Sequence, residues 1–188
     1  MKTLTTVLAC LLLAASVVDA SAQPPGKPAP ATVPVDPAQT TATYGDWVLR
    51  CVRHGESGRV RACELMQSVV LQGQQQPVAQ IAIGNAEKGE PMRLTVVVPA
   101  AISLAKGAQI TTEAGGTALH QLTWRRCLPG GCFADVVLNA ETLKSLRARI
   151  EPLHLSFKDA ADRDVVLPFS LRGLSQALDA LSKESLVR

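Results

Sequence analysis

The stretch Leu119–Leu138, LHQLTWRRCLPGGCFADVVL, decides the fold of this chain. Two apolar-rich runs flank a segment that begins at Cys127 and ends at Cys132. Pro129 presets φ for the second position of a tight turn, and Gly130 can adopt the positive φ that a type II turn needs next. Such a turn folds the two runs into a β-hairpin and brings the two cysteines to disulfide distance, about 5–6 Å between Cα atoms.

The alternation of side chains in these two runs does not fit a simple hairpin. Cys132 alternates with apolar residues, which indicates a core face, whereas Cys127 alternates with Arg125 while Trp124 points the other way. A slip of one residue exchanges the two faces of a strand, so either a β-bulge lies beside the turn or the register is a different one. The sequence leaves both alternatives open.

A second hairpin is predicted near the start of the globular part. Trp47 and Cys51 alternate on one face of a run that ends in a turn cluster, and Cys63 lies in the run that follows. Four cysteines outside the N-terminal segment allow three pairings. Because each predicted hairpin carries one cysteine on each strand, the hairpins favour the disulfides Cys51–Cys63 and Cys127–Cys132.

Short strands and frequent turn residues dominate the rest of the sequence. The predicted strands outside the central hairpin are 45–52, 60–71, 78–83, 93–98, 109–112, 153–157 and 165–169, and the predicted helices are 140–149 and 173–186. The last helix carries an apolar stripe, which is typical of an amphipathic helix packed on a sheet. We therefore expect an all-β sandwich of about eight to ten mostly antiparallel strands, with a short helix and a C-terminal amphipathic helix.

The N-terminal part of the chain lies outside this predicted domain. Residues 1–22 are typical of a signal peptide, with Lys2 before an apolar run and an A-x-A cleavage pattern at the end. The run has about 15 residues, whereas a membrane span needs about 20. A lipoprotein signal with Cys10 as the acylated residue is the alternative. Residues 23–43, rich in Pro, Ala and Thr, predict a flexible tether, and residues 44–188 predict one disulfide-bonded β domain.

Composition limits the location and the partners. The net charge of +3 is small and diffuse, so nucleic acid is not an expected partner. No later segment is long and apolar enough for a transmembrane span. An even number of cysteines in an exported domain indicates disulfides. We expect a periplasmic, cell-surface or secreted protein.

The sequence predicts no catalytic, cofactor-binding or metal-binding residues. His54, His120 and His154 form no H-x-x-x-H or H-E-x-x-H arrangement. A structural zinc site needs two closely spaced cysteine pairs, and the pair at positions 51 and 63 is too widely spaced. Thiol–disulfide exchange at Cys127 and Cys132 is the alternative, although such pairs usually have C-x-x-C spacing at a helix N-terminus.

A series of short segments occurs along the predicted domain in a characteristic order and spacing. These segments are Gly45-Asp46-Trp47, Cys51, Cys63, Leu94–Pro99, Cys127 with Gly131–Ala134, Ser170–Leu174 and Ala177-Leu178. Together they resemble the invasion-associated locus B family of exported bacterial proteins, and the resemblance covers nearly all of residues 44–181. Two positions depart from the expected pattern, Leu174 in place of an aromatic residue and the pair Ala100-Ala101.

The resemblance implies an all-β, sandwich-like domain in the periplasm or on the cell surface of a Gram-negative bacterium. It implies virulence through host-cell entry only weakly, and it implies no enzymatic activity. We therefore expect a non-enzymatic binding module that acts in host-cell invasion or envelope maintenance. Its expected partner is an envelope or host-surface protein or glycan. A periplasmic thiol–disulfide oxidoreductase that uses Cys127 and Cys132 is the alternative.

Overall fold

The structure, a computed structural model, describes residues 37–54, 60–85 and 89–186. The predicted signal peptide and most of the predicted tether lie outside these residues. The strands are β1 Gln39–Tyr44, β2 Trp47–His54, β3 Val60–Val69, β4 Ala79–Gly84, β5 Arg93–Val98, β6 Ala108–Thr111, β7 Ala118–Leu128, β8 Gly131–Val137, β9 Leu153–Lys158 and β10 Asp164–Phe169, and the helices are α1 Ala140–Ala148 and α2 Leu174–Leu186.

All ten strands belong to one antiparallel sheet, in the order β1-β2-β3-β4-β5-β8-β7-β6-β9-β10. Strands β1 to β5 form a meander. The chain then crosses to β6 and returns through β7 to β8, which pairs with β5. After α1, strand β9 adds to the other side of β6. The predicted all-β class, antiparallel pairing, strand number and two helices are confirmed.

The long strand β7 belongs to both halves of the sheet. Its first half pairs with β6, where Ala108 faces Leu122, and its second half pairs with β8, where Trp124 faces Ala134. The buried side chains of both halves form one hydrophobic cluster. The two layers of the predicted sandwich are therefore parts of one continuous sheet around one core.

A β-bulge in β7 explains the alternation that the sequence left unresolved. The register shifts between Trp124 and Arg126, so Arg125 is the extra residue, and Cys127 faces Cys132. The bulge moves Cys127 onto the face that Trp124 occupies. The expectation that Gly130 adopts the positive φ is wrong. The glycine of this turn that has a positive φ is Gly131, with φ 133°. A Cβ on Gly131 would lie 2.5 Å from the backbone oxygen of Val98, so β5 packs too closely for any other residue there.

The two helices follow from local sequence. Asn139 is the N-cap of α1, and its side chain accepts a hydrogen bond from the backbone N–H of Thr142 at 2.7 Å. The predicted apolar stripe of α2 is buried as expected. Its members are Leu174, Ala177, Leu178 and Leu181.

The C-terminal boundary of the predicted tether is wrong. Residues 39–43 belong to β1, which pairs with β2 over six residues. Five of the six β1 side chains are exposed, so the strand lacks the alternation of buried and exposed residues that marks a strand in sequence. Pairing with β2, and not burial, keeps these residues in a strand.

Candidate functional site

Each disulfide joins two residues that face each other across a hairpin. Cys51 on β2 is bonded to Cys63 on β3, with their Cα atoms 4.0 Å apart, and Cys127 is bonded to Cys132, with Cα atoms 3.9 Å apart. This is the pairing that the two predicted hairpins favour. Cys51 and Cys132 are buried, whereas Cys127 is exposed.

The Cys127–Cys132 disulfide differs from the usual geometry of a redox pair. It lies at the start of β8, whereas α1 begins beyond the other end of that strand. The pair therefore lacks the helix N-terminus that would stabilise a thiolate there. Cys127 is accessible to an attacking thiolate, and Cys132 is not.

The three histidines lie on three different strands of the sheet. His120 lies on β7 and His154 on β9, with β6 between them. Burial, and secondarily the Arg149 guanidinium, lowers the pKa of His120. His54 ends β2, in the other half of the sheet.

Within the described ranges, one cluster contains three groups that could bind a metal, namely Cys51, Cys63 and Glu184. Both sulfur atoms are in the disulfide, so neither is a thiolate ligand. The Glu184 carboxylate is paired with Arg61, with 2.8 Å between Oε2 and the guanidinium nitrogen. The arrangement joins the end of α2 to β3.

Two turns that are distant in sequence meet at one polar cluster, which we call the two-turn cluster: Asp46, Trp47, Gln67, Ser170 and Arg172. The Arg172 Nε donates to Asp46 Oδ2 at 3.0 Å, and the Asp46 backbone N–H donates to the Arg172 carbonyl at 3.0 Å. The Trp47 indole N–H donates to the Ser170 carbonyl at 3.0 Å. Gln67 accepts from the Ser170 N–H at 2.9 Å and donates to its carbonyl at 3.1 Å.

Glycines allow the two turns to approach this closely. A Cβ on Gly173 would lie 2.0 Å from the Tyr44 carbonyl oxygen, and a Cβ on Gly45 would lie 2.5 Å from that of Arg172. Hydrogen bonds from Arg172, and then from Ser170, hold the pKa of Asp46 below its ordinary value. The cluster draws its residues from Gly45-Asp46-Trp47 and Ser170–Leu174, two of the segments that carried the resemblance, and from Gln67. Here both segments hold the fold together.

An open groove lies between the edge strand β1 and helix α2. It has a cavity volume of about 380 Å³. Strand β1 is the first strand of the sheet, so one of its edges has no strand partner among the described residues. The groove is lined by Tyr44, Gln176, Asp179, Ala180, Lys183 and Glu184.

A second depression, of about 350 Å³, lies beside the central hairpin. The ends of β4 and β5 and the turn between β7 and β8 line it, with Pro77, Pro99 and Pro129 among the lining residues. Sequence reasoning found neither depression, because each is formed by segments that lie far apart in the chain.

Over the residues that the structure describes, the fold and these features define a disulfide-bonded, all-β domain with two open surface grooves and an open sheet whose edge strands are β1 and β10. The chain belongs to the invasion associated locus B (IalB) protein family, whose sequence model matches residues 47–182. This confirms the resemblance noted from the sequence.

Two similar relatives are invasion protein B homologues of Brucella abortus, from strain 2308 and from biovar 1 strain 9-941. Each is 26% identical over 151 residues, which cover 80% of this chain and 84% of the relative. The crystal structure of invasion associated protein B from Bartonella henselae is similar in fold, with a TM-score of 0.62 and 23% identity. The match covers 77% of this chain and 97% of that one.

None of the helices in the described ranges combines the length and the apolar character that crossing a membrane would require.

Proposed function

We propose that this protein is an exported, non-enzymatic interaction module of the Gram-negative envelope, in the periplasm or at the cell surface. Its partner is an envelope or host-surface protein or glycan. The observation that carries the proposal is the free edge of β1. An edge strand presents a row of unpaired backbone N–H and C=O groups, and interaction domains commonly recruit partners through such edges.

The surroundings of β1 support this role. The neighbouring strands β2 and β3 are joined by the Cys51–Cys63 disulfide, and the two-turn cluster fixes the turn between β1 and β2. A surface that is held in one conformation loses less entropy when it binds. The edge is therefore a preorganised surface.

Sequence and relatives support the location and the setting. Residues 1–22 resemble a signal peptide, and disulfides persist in oxidising compartments outside the cytoplasm. The similar relatives carry names that refer to invasion. We therefore place the interaction at host-cell entry, with envelope maintenance as the second setting.

Chemical cross-linking in intact envelopes tests the proposal. An affinity-tagged copy of the protein is expressed with its own residues 1–22, cross-linked through lysines, and purified under denaturing conditions. An unrelated exported β domain with the same tag serves as the control. We expect one or a few partners that the control does not recover. Recovery of no specific partner in repeated experiments would contradict the proposed function.

A further inference from the structure

Resting on the proposed interaction role, we propose that β1 and α2 form a strand-addition site for an extended peptide segment of a partner protein. The segment pairs with the free edge of β1, places its inward side chains beside Thr40 and Ala42 and, at the Tyr44 end, in the β1–α2 groove, and carries a carboxylate that pairs with Lys183.

The free edge of β1 lacks the usual protection against strand addition. Proline, lysine and β-bulges commonly block edge strands. The other edge strand, β10, contains Pro168. Strand β1 has the sequence QTTATY and pairs with β2 in an uninterrupted register. Its threonines and tyrosine also favour strand structure. Among the residues that the structure describes, the edge of β1 is therefore open to a further strand.

One hydrogen bond shows which backbone N–H and C=O groups of β1 point towards the free edge. The Arg53 N–H donates to the Ala38 carbonyl at 2.9 Å, so this facing pair is hydrogen-bonded. In an antiparallel ladder, hydrogen-bonded and non-hydrogen-bonded pairs alternate. The backbone groups of Gln39, Thr41 and Thr43 therefore point away from β2, towards the free edge.

The inner face of β1 is not buried by α2, although the Arg61 guanidinium contacts Thr40 there. Thr40 and Ala42 face Cys51 and Leu49 across the β1–β2 pair, so they share the inner face of the sheet. Cys51 and Leu49 are buried, whereas Thr40 and Ala42 are exposed. An added strand would lie beside this exposed surface, and its inward side chains nearest Tyr44 would enter the groove, because Tyr44 is the β1 residue that lines it.

The charges in the groove predict one polar contact. The Asp179 carboxylate is paired with Arg147, and the Glu184 carboxylate is paired with Arg61. Lys183 is exposed and has no ion pair or side-chain hydrogen bond among the residues that the structure describes. A carboxylate on the incoming segment would give Lys183 a partner.

Two other occupants fit less well. Residues 23–36 of this chain contain five prolines, which cannot donate hydrogen bonds to a sheet ladder. Pairing of β1 with β1 of a second copy would bring no carboxylate, because residues 39–44 contain no acidic side chain. A segment of another protein can pair with the backbone groups of the β1 edge and can also supply a carboxylate for Lys183.

A binding assay with synthetic peptides tests the site. The probes are fluorescein-labelled seven-residue peptides that alternate valine and threonine, with glutamate scanned through the positions and lysine as the matched replacement. Fluorescence anisotropy measures their binding to the purified protein. We expect the best glutamate peptide to bind up to about fivefold more tightly than its lysine counterpart. Lys183→Glu should reverse this preference.

Thr41→Pro should abolish binding, because it removes an outward-pointing N–H and leaves the β1–β2 hydrogen bonds in place. Thr41→Val is the matched control, since it keeps the N–H and should bind as the wild type does. Circular dichroism and thermal melts check that each variant folds. If Thr41→Pro fails to fold, the proposal is tested by whether Lys183→Glu reverses the preference for glutamate over lysine peptides. Equal binding of both peptide types to wild type and Lys183→Glu, or absence of binding, would overturn the proposal.

The envelope cross-linking experiment separates this proposal from the proposed function. Loss of the recovered partners with Thr41→Pro, and their retention with Thr41→Val, would support the strand-addition site. Recovery of the same partners with both variants would overturn the site and leave the interaction role standing. Sedimentation velocity tests whether the protein forms a homodimer that Thr41→Pro dissociates. Such a dimer would show that a second copy of this chain, and not a partner peptide, occupies the edge of β1, and it would overturn the proposal.

Discussion

Asp46 and Arg172 form a two-armed ion pair, although 126 residues separate them in the chain. Asp46 lies in the turn between β1 and β2, and Arg172 lies in the turn between β10 and α2. Together with Trp47, Gln67 and Ser170 they tie the first turn of the domain to the last. Two of the segments that carry the family resemblance thus have a role in packing.

The Asp46–Arg172 pair predicts a specific loss of stability in acid. The hydrogen bonds from Arg172 lower the pKa of Asp46, so its contribution to stability is complete above about pH 4 and disappears as pH falls through the lowered pKa. Asp46→Asn should therefore reduce stability at pH 7, and the difference from the wild type should shrink below about pH 4. Urea unfolding between pH 7 and pH 2.5 measures this. A difference that stays constant across the range would contradict it.

Gly173→Ala should be among the most damaging small substitutions. Its added Cβ would lie 2.0 Å from the Tyr44 carbonyl oxygen, and its φ of 86° disfavours alanine. We expect a loss of more than about 3 kcal/mol. Gly73→Ala is the matched control, because Gly73 has φ 82° and no atom within 4 Å of the added Cβ. It should lose only about 1 kcal/mol. Equal losses in urea melts would show that the contact with Tyr44 relaxes easily.

Replacing Cys51 and Cys63 with alanine should cost more stability than replacing Cys127 and Cys132. The sequence separations are 12 and 5, which correspond to about 3 and about 2 kcal/mol of loop-closure entropy. Cys51 and Cys132 are both buried, but Cys63 also packs against the core whereas Cys127 is exposed, so packing widens the difference that loop length sets. Urea melts of the two double variants measure the difference. A larger loss for the second variant would identify the central hairpin as the more important anchor.

The Cys127–Cys132 disulfide should resist reduction while the protein is folded. A thiolate can reach only the exposed Cys127, and its attack would release Cys132 as a thiolate in apolar surroundings, which disfavour that charge. We expect the bond to remain intact in glutathione buffers down to about −250 mV. Alkylation of free thiols followed by mass spectrometry measures it, with the urea-unfolded protein as control. Reduction of the folded protein at higher potentials would favour the oxidoreductase alternative.

Much of the fold was predictable from sequence because its signals are local. Alternation around Trp47 and Cys51 identified β2, and the stripe on α2 identified its buried face. Strand β1 was missed because an exposed edge strand has no buried face to create a pattern. The position of the bulge at Arg125 was also not predictable, since it depends on which residues of β7 pair with β6 and which pair with β8.

The candidate site was not predictable in the same way. Gln67 interrupts the apolar pattern of β3, and its side chain is buried only because the Ser170 backbone, 103 residues away, satisfies it. The β1–α2 groove likewise combines the first and last elements of the domain. Neither Tyr44 nor Lys183 carries a local signal that would associate one with the other.

Arg61 connects the beginning of the domain to its end. Its guanidinium donates to Thr40 Oγ1 at 3.2 Å on the first strand and pairs with Glu184 at 2.8 Å near the end of the last helix. The entry and exit of the folded domain therefore lie side by side. A circular permutant that joins them with a short Gly/Ser linker, and opens the chain at the exposed turn around Gly73, would preserve every strand pair of the sheet.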